Sequence, residues 1–356
     1  MHDVHDRVLR FIDDPSSSTF EDIALDVFRH QFEHIPAYRQ VCERRGRTPD
    51  SVAGWRDIPA VTTLAFKRLE LRCGPAERTF QTTGTTQGSE QRGRHAMPDL
   101  RLYRAAGLRG LKQFLFPDLD RIRILSLIAP ARDRPESSLA QMIAWGLEEF
   151  GTPNSVELAT GNVLDFDSLA AALREAETSG EPVCVLTTTG ALIRFFDRCR
   201  EEDWAFRLSH GSRLMDTGGD KGAPRSLSRN GVLHSVWQTF AIPGYFCVNE
   251  YGMAELSSQF YDNVVRDREA GSFAHRAKVG PAWTRTRVLD PSTLQDAPSG
   301  ESGLLCHVDL ANAGTAMAVL TEDVGRLVEG GFELLGRAKG AEARGCSLAL
   351  ADFSER

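Results

Sequence analysis

The chain has 356 residues, enough for one large domain or two ordinary ones and for a substantial hydrophobic core. Its hydrophobic share of 41%, charged share of 26% and formal net charge of −7 are ordinary for a globular protein and offer no attraction to nucleic acid or an anionic membrane. No apolar run approaches the ~20 residues of a membrane span, the N-terminal MHDVHDRVLRFIDD is charged rather than signal-like, and seven scattered cysteines without a CxxC pair predict free thiols in a cytoplasmic protein.

Residues 1–45 read as helical. Ser18–Glu21 has the form of a capping box, Phe20, Ile23, Ala24, Val27 and Phe28 then follow helical spacing, and Pro36 ends or kinks that helix. Turn signals at Pro49, Gly54 and Gly74-Pro75 punctuate a mixed stretch to residue 79, and Pro98–Leu115 reads as a helix with its proline near the first turn. From about 120 strands and helices alternate: Arg121–Ile128 (strand), Ser137–Phe150 and Asp165–Glu177 (helices), Val183–Leu186 (strand), Ala191–Glu202 (helix) and Ser212–Met215 (strand). Ser226–Phe240 reads as a helix interrupted near Asn230-Gly231, and Tyr245–Val248 as a strand. This alternation predicts an α/β fold with substantial parallel sheet. After 280, Thr286–Leu289, Gly303–Val308, Ala316–Leu320 and Phe332–Leu335 lie close together with turn residues between, as in a small antiparallel or barrel-like subdomain.

The P-loop, the Rossmann glycine fingerprint, the zinc-protease H-E-x-x-H and the hydrolase G-x-S-x-G are all absent. Five loops remain. "TTGTTQGSE", Thr82–Glu90, offers small residues, backbone N–H groups and threonine hydroxyls that can surround phosphate oxygens. "DTGGDKG", Asp216–Gly222, follows a strand, and Gly218 and Gly219 would let a flat ring lie on the backbone. In "NEYGMAELSSQ", Asn249–Gln259, Tyr251 can stack on a base and Glu255 can take a phosphate-bound metal. "TEDVGR", Thr321–Arg326, is an acidic turn whose Asp323 can accept from ribose hydroxyls. "GRAKGAEARGC", Gly336–Cys346, carries three cations and a thiol. Taken alone, a Thr/Gly loop is more often a solvated turn, the glycine pair reads as readily as a tight βα turn, Tyr-Gly is commonplace, and the acidic segment also reads as a hairpin turn.

Their order is more telling. A threonine-rich loop, a glycine pair, Y-G-x-x-E, an acidic turn and then G-R resembles the adenylate-forming ligase superfamily. The stretches "DVFRHQFEHIPAYR", "IPAVTTLAFK", "TTGTTQGS", "DTGGDKG", "NEYGMAELSSQ" and "RGCSL" resemble one branch, the acyl-protein synthetases of bacterial bioluminescence and their phenylacetate-CoA-ligase-like relatives, from about residue 20 onward. The resemblance implies β-sheets sandwiched by helices plus a small β-barrel-like subdomain near the C-terminus. Residues 1–335 would be the ATP- and acid-activating domain, and 336–356 a short tail replacing a mobile C-terminal domain. It implies ATP and Mg²⁺ as cofactors and a carboxylic acid, fatty or aryl, as substrate. The acid attacks the α-phosphate, giving an acyl-adenylate that then passes to a thiol. Thr82, Thr83, Gly84, Thr85, Thr86, Gly88 and Ser89 would hold the β- and γ-phosphates. Gly218, Gly219, Tyr251 and Gly252 would form the adenine slot, Glu255 would bind Mg²⁺, and Asp323 with Arg337 would fix the ribose. Lys221 is expected to supply the cation for the α-phosphate, with Lys339 as competitor, and Cys346 to accept the acyl group. The implied partner is an acyl-reductase or acyl-carrier protein.

The chain departs from the superfamily pattern at Gln87, where many relatives have glycine, at Ser89-Glu90, where they have Pro-Lys, and at Ala254, where threonine is common. Two alternatives stay open on the sequence: an acyl-CoA ligase, and a degenerate nucleotide-binding protein without turnover.

Overall fold

The computed structural model describes residues 2–82, 92–218 and 224–338. They fall into two compact units, one from 1–109, 253–259 and 277 onward, the other from 110–252 and 260–276. No helix among the described residues is long and apolar enough to cross a membrane.

The second unit holds the predicted parallel sheet. Val156–Glu157, Arg123–Ser126, Val183–Thr188, Arg213–Thr217 and Cys247–Tyr251 lie side by side in parallel, and Phe260–Asp262 joins the last of these antiparallel. Central strands are almost entirely buried, with apolar centres such as Val183–Leu186 flanked by buried polar residues that find partners. The helices start where the sequence provides an oxygen. Ser137, Asp165, Thr188 and Ser228 cap Ser138–Phe150, Phe166–Ser179, Thr189–Glu201 and Arg229–Phe240, each accepting from a backbone N–H in the first turn. Gly180 ends the second of these with φ +74°, the left-handed conformation that favours glycine. Arg229–Phe240 runs unbroken through Asn230-Gly231, contrary to the sequence reading. The glycine sits in the first turn, where its N–H donates to the Ser228 hydroxyl at 3.2 Å instead of weakening a helix interior. Phe195, Phe206 and Phe240 stack in the core, and fully buried Arg213 makes a two-pronged pair with Asp118 at 2.8 and 2.9 Å.

The first unit opens with helices His2–Asp13, Phe20–His34 and Pro36–Arg44. The cap of the second is Thr19, one residue beyond the Ser18 that the sequence suggests. Its hydroxyl accepts from Asp22 N at 3.1 Å and donates to the Asp22 carboxylate at 2.7 Å. Glu21 instead accepts from Trp55 N at 2.7 Å. Pro36 both follows one helix and opens the next, where its missing N–H is not needed. Thr284–Leu289, Ser302–Asp309, Ala318–Val328 and Gly331–Arg337 form an antiparallel meander, as the sequence predicts after 280. Val61–Thr62 adds in parallel to Ala318–Val328, and Lys278–Val279 pairs with Gly331–Arg337. Leu289, Leu304, Cys306, Leu320 and Val324 form one core cluster of this sheet. Thr321–Arg326 is strand rather than a turn, because Asp323 lies within Ala318–Val328 in register with Arg337. The strand Gly331–Arg337 runs across the boundary expected between 335 and 336.

Candidate functional site

In the first unit, Arg78–Gln81 and Arg94–Met97 form an antiparallel hairpin around the threonine-rich segment. Thr82 and Gly93 close it. Thr82 N donates to Gly93 O, and Gly93 N to the Thr82 hydroxyl, both at 2.9 Å. Glu255 meets this foot. A methyl group placed on Gly93 would stand 3.1 Å from Thr82 Cγ2 and 3.3 Å from Glu255 Oε1, so glycine keeps a cradle open between loop and carboxylate.

Glu255 lies in the turn between two strands, not at a helix start. The turn is nailed down by side chains from the meander. Asn312 Nδ2 donates to Glu255 O at 2.9 Å while its Oδ1 accepts from Ser257 N at 2.9 Å. The Asp309 carboxylate accepts from Ser257 N at 3.0 Å, from Ser258 N at 2.7 Å and from the Ser258 hydroxyl at 2.7 Å. The Trp283 indole donates to that same hydroxyl at 2.9 Å. Burial pushes the Asp309 carboxyl up to about 6 against these bonds.

The Glu255 carboxyl is itself pushed up to about 7, chiefly by burial, with Lys67 and Arg337 pulling it down and Asp323 pushing it up. Among the described residues no cation forms an ion pair with it. A buried carboxylate without a matched cation suits a divalent ion, and Mg²⁺ usually takes only one or two protein carboxylates beside substrate phosphates. Asp323 and Arg337 face each other with Nε to Oδ1 at 3.3 Å, and Arg337 also lies 3.6 Å from Glu322. Arg337 is 64% exposed, so this pair adds little to stability.

In the second unit Thr217 pairs in register with Glu250, which brings Gly218 and Tyr251 out together at the carboxyl ends of neighbouring parallel strands, where α/β sheets bind ligands. Gly218 has φ +72°, which favours glycine. The Tyr251 ring is buried and tilted against Phe260, and Gly252 follows it. Asp216, the first residue of "DTGGDKG", is structural. Its buried carboxylate accepts from Arg229 at 2.6 Å, Thr189 at 2.7 Å and Asn249 at 2.9 Å.

The structure therefore brings Thr82, Glu255, Asp323 and Arg337 into one unit, and Gly218, Tyr251 and Gly252 into the other. Thr83, Gly84, Thr85, Thr86, Gly88, Ser89, Gly219, Lys221 and Cys346 lie outside the described residues. The described cysteines, 42, 73, 184, 199, 247 and 306, are all free and buried, and burial raises their thiols to about 11 or 12. Sequence reasoning missed Lys67, His95, Asp309 and Asn312. The signal for the last two was polar residues set inside the otherwise apolar run "LLCHVDLANAGTAMAVL".

Residues 4–353 match the model of a family described as "Acyl-protein synthetase, LuxE". The long-chain-fatty-acid–luciferin-component ligase of Vibrio harveyi is 24% identical over 335 residues, covering 91% of this chain and 85% of that protein. Its counterpart from Aliivibrio fischeri is 21% identical over 388 residues, covering 98% and 94%. Among solved structures, a 2-hydroxyisobutyryl-CoA ligase in the postadenylation state superposes with a TM-score of 0.64 at 17% identity, over 89% of this chain and 67% of that one. ATP-bound MatB from Rhodopseudomonas palustris gives 0.50 at 15% identity, over 74% of this chain and 49% of that one. These two likenesses are of fold alone.

Proposed function

This chain belongs to the LuxE family of acyl-protein synthetases, and on that premise we propose that it activates a long-chain fatty acid with ATP and hands the acyl group to its own Cys346. The observation that carries the reading is the cradle in the first unit, where a buried carboxylate with no ion-pair partner among the described residues stands beside the foot of the threonine-rich segment.

A free carboxylate is a poor acyl donor because oxide is its leaving group. In the proposed reaction a carboxylate oxygen attacks the α-phosphorus of ATP, the bond to the bridging oxygen breaks, and pyrophosphate leaves. The acyl carbon then has AMP as its leaving group. Thr82–Ser89 hold the β- and γ-phosphates, Gly218, Gly219, Tyr251 and Gly252 form the adenine slot, and Asp323 with Arg337 holds the ribose. Glu255 holds Mg²⁺, which neutralises phosphate charge when bound. Lys221 supplies the cation at the α-phosphate. The protein's share is positioning and electrostatic stabilisation.

The acceptor must be a thiolate that can reach the adenylate. The six described cysteines are unsuited, because burial opposes their ionisation. Cys346 stands in "RGCSL" with Arg344, Arg337 and Lys339 near in sequence to favour the thiolate. The thiolate attacks the acyl carbon, AMP departs, and the thioester keeps the acyl group activated for an acyl-reductase or acyl-carrier partner.

The test is incubation with ATP, Mg²⁺ and labelled fatty acids of graded length and aryl acids, then neutral hydroxylamine. Label is expected to be covalent, hydroxylamine-labile and absent from Cys346→Ser, which still exchanges pyrophosphate. Normal labelling of Cys346→Ser moves the acceptor to another residue. Exchange that never labels the wild-type chain makes CoA or another protein the acceptor.

A further inference from the structure

His95 was not singled out by any motif, yet it bonds to the turn that carries Glu255. It lies on Arg94–Met97, the strand that returns from the threonine-rich segment, and is 1% exposed. Its Nδ1 is 2.7 Å from the carbonyl oxygen of Ala254, the residue before Glu255. Its Nε2 is 2.9 Å from the Thr315 hydroxyl. Its ring meets Phe66 edge-on at 5.6 Å between centroids, and Phe66 precedes Lys67, one of the cations whose field reaches Glu255.

These partners fix the protonation pattern. A carbonyl oxygen only accepts, so Nδ1 carries the proton and donates to Ala254. In the neutral ring Nε2 then has a lone pair, and the Thr315 hydroxyl donates to it at 2.9 Å in preference to Asn312 O at 3.4 Å. The ring is neutral, and burial agrees, holding the imidazolium off down to about 4. Oriented this way, the imidazole joins four segments that are far apart in sequence: the Phe66–Lys67 helix, the returning strand, the Glu255 turn and the Asn312–Thr315 segment. Asp309 and Asn312 hold the other side of the same turn.

We propose that His95 is a positioning residue for the activation step: it ties the strand behind the phosphate loop to the turn that carries Glu255, and so fixes where that carboxylate stands relative to the loop. The inference rests on the reading of Glu255 as the Mg²⁺ ligand. It is the logic of an outer-shell partner that orients a ligand by its backbone, a contact whose loss typically costs ~10–100-fold in metal affinity.

The experiment compares full-length wild type with His95→Gln, His95→Asn, Thr315→Val and Glu255→Gln. Pyrophosphate exchange is followed against free Mg²⁺. Without turnover, binding of a fluorescent ATP analogue is measured in Mg²⁺ and in EDTA. In His95→Gln the half-saturating Mg²⁺ concentration is expected to rise about tenfold, while binding in EDTA changes less than about twofold. His95→Asn places an amide N–H about where Nδ1 stood, keeps the bond to Ala254, and is expected to stay within about threefold of wild type. Thr315→Val removes the partner of Nε2 and loosens the ring, and is expected to raise the Mg²⁺ midpoint by about threefold, so it carries the test if the glutamine variant does not fold. A wild-type Mg²⁺ midpoint in folded His95→Gln, equal weakening in Mg²⁺ and EDTA, or no shift in Thr315→Val overturns the role. Normal exchange in Glu255→Gln overturns the site reading itself. An inactive Glu255→Gln beside an unshifted His95→Gln overturns the His95 inference alone.

Discussion

Glu255→Gln separates two consequences of one buried charge. The wild-type carboxyl is raised from 4.5 to about 7, mainly because burial disfavours the anion. Each pKa unit is worth ~1.4 kcal/mol, so a rise of this size corresponds to about 3 kcal/mol. The sign follows from the direction. Proton binding favours the folded chain, so this contribution is fully present below about pH 4.5 and is lost as pH rises through about 7. Glutamine cannot ionise and carries no such dependence. The difference in unfolding free energy, variant minus wild type, should therefore increase by about 3 kcal/mol between pH 4.5 and pH 8.5. Urea unfolding of the nucleotide-free protein across that range measures it. Trp283 is a local reporter, since its indole bonds to Ser258 in the same turn. The same variant should lose pyrophosphate exchange by roughly two orders of magnitude, about 2.7 kcal/mol of transition-state stabilisation. A variant more stable at high pH and slower in exchange is what a charge held for a cation requires. A difference that does not vary with pH, or one that shrinks as pH rises, refutes the burial argument. Undiminished exchange refutes the assignment of Glu255 to the metal.

Asp323→Ala is expected to weaken ATP binding by about ten- to a hundredfold, since a charge-assisted hydrogen bond is typically worth ~1.5–3 kcal/mol, with little change in stability because its Arg337 partner is largely exposed. Equilibrium titration checks it, and normal affinity would leave the Asp323–Arg337 pair a strand contact only. Lys221→Met should slow single-turnover adenylation more than Lys339→Met, and the reverse ranking would transfer the α-phosphate cation to the tail.

The second unit was largely legible because its strands have short apolar centres that alternate with helical patterns, and because oxygen-bearing residues stand at the helix starts. Asp165 and Ser137 were within a residue of the predicted boundaries for that reason. The errors came where one local rule has two outcomes. An Asn-Gly pair breaks a helix interior but is tolerated in a first turn, and a Thr-x-x-Asp cap outcompeted the Ser-x-x-Glu that overlaps it. Asp323 looked like a turn residue because T-E-D-V-G is polar. It sits in a strand that shifts register between Val324 and Gly325, and Gly325 allows the close approach, since a methyl there would lie 2.6 Å from Glu333 O.

The loops that resemble adenylate-forming ligases name residues that would touch nucleotide, but not those that hold them. Glu255 is found by its motif, whereas His95, Asp309 and Asn312 come from strands and a short helical turn 160 and 54–57 positions away in sequence; Asp309 and Asn312 are marked only as polar residues in an apolar run, and nothing local marks His95. Their chemistry explains the pattern. Each buried polar side chain costs free energy unless its hydrogen bonds are satisfied, and here the bonds of Asp309, Asn312 and His95 converge on the few residues from Ala254 to Ser258. A turn held by so many fixed partners cannot relax to let water reach its carboxylate. With no ion-pair partner among the described residues, Glu255 keeps a raised pKa, and a rigid frame around an unmatched charge is the property that the proposed ATP-activating site would need before its substrate arrives.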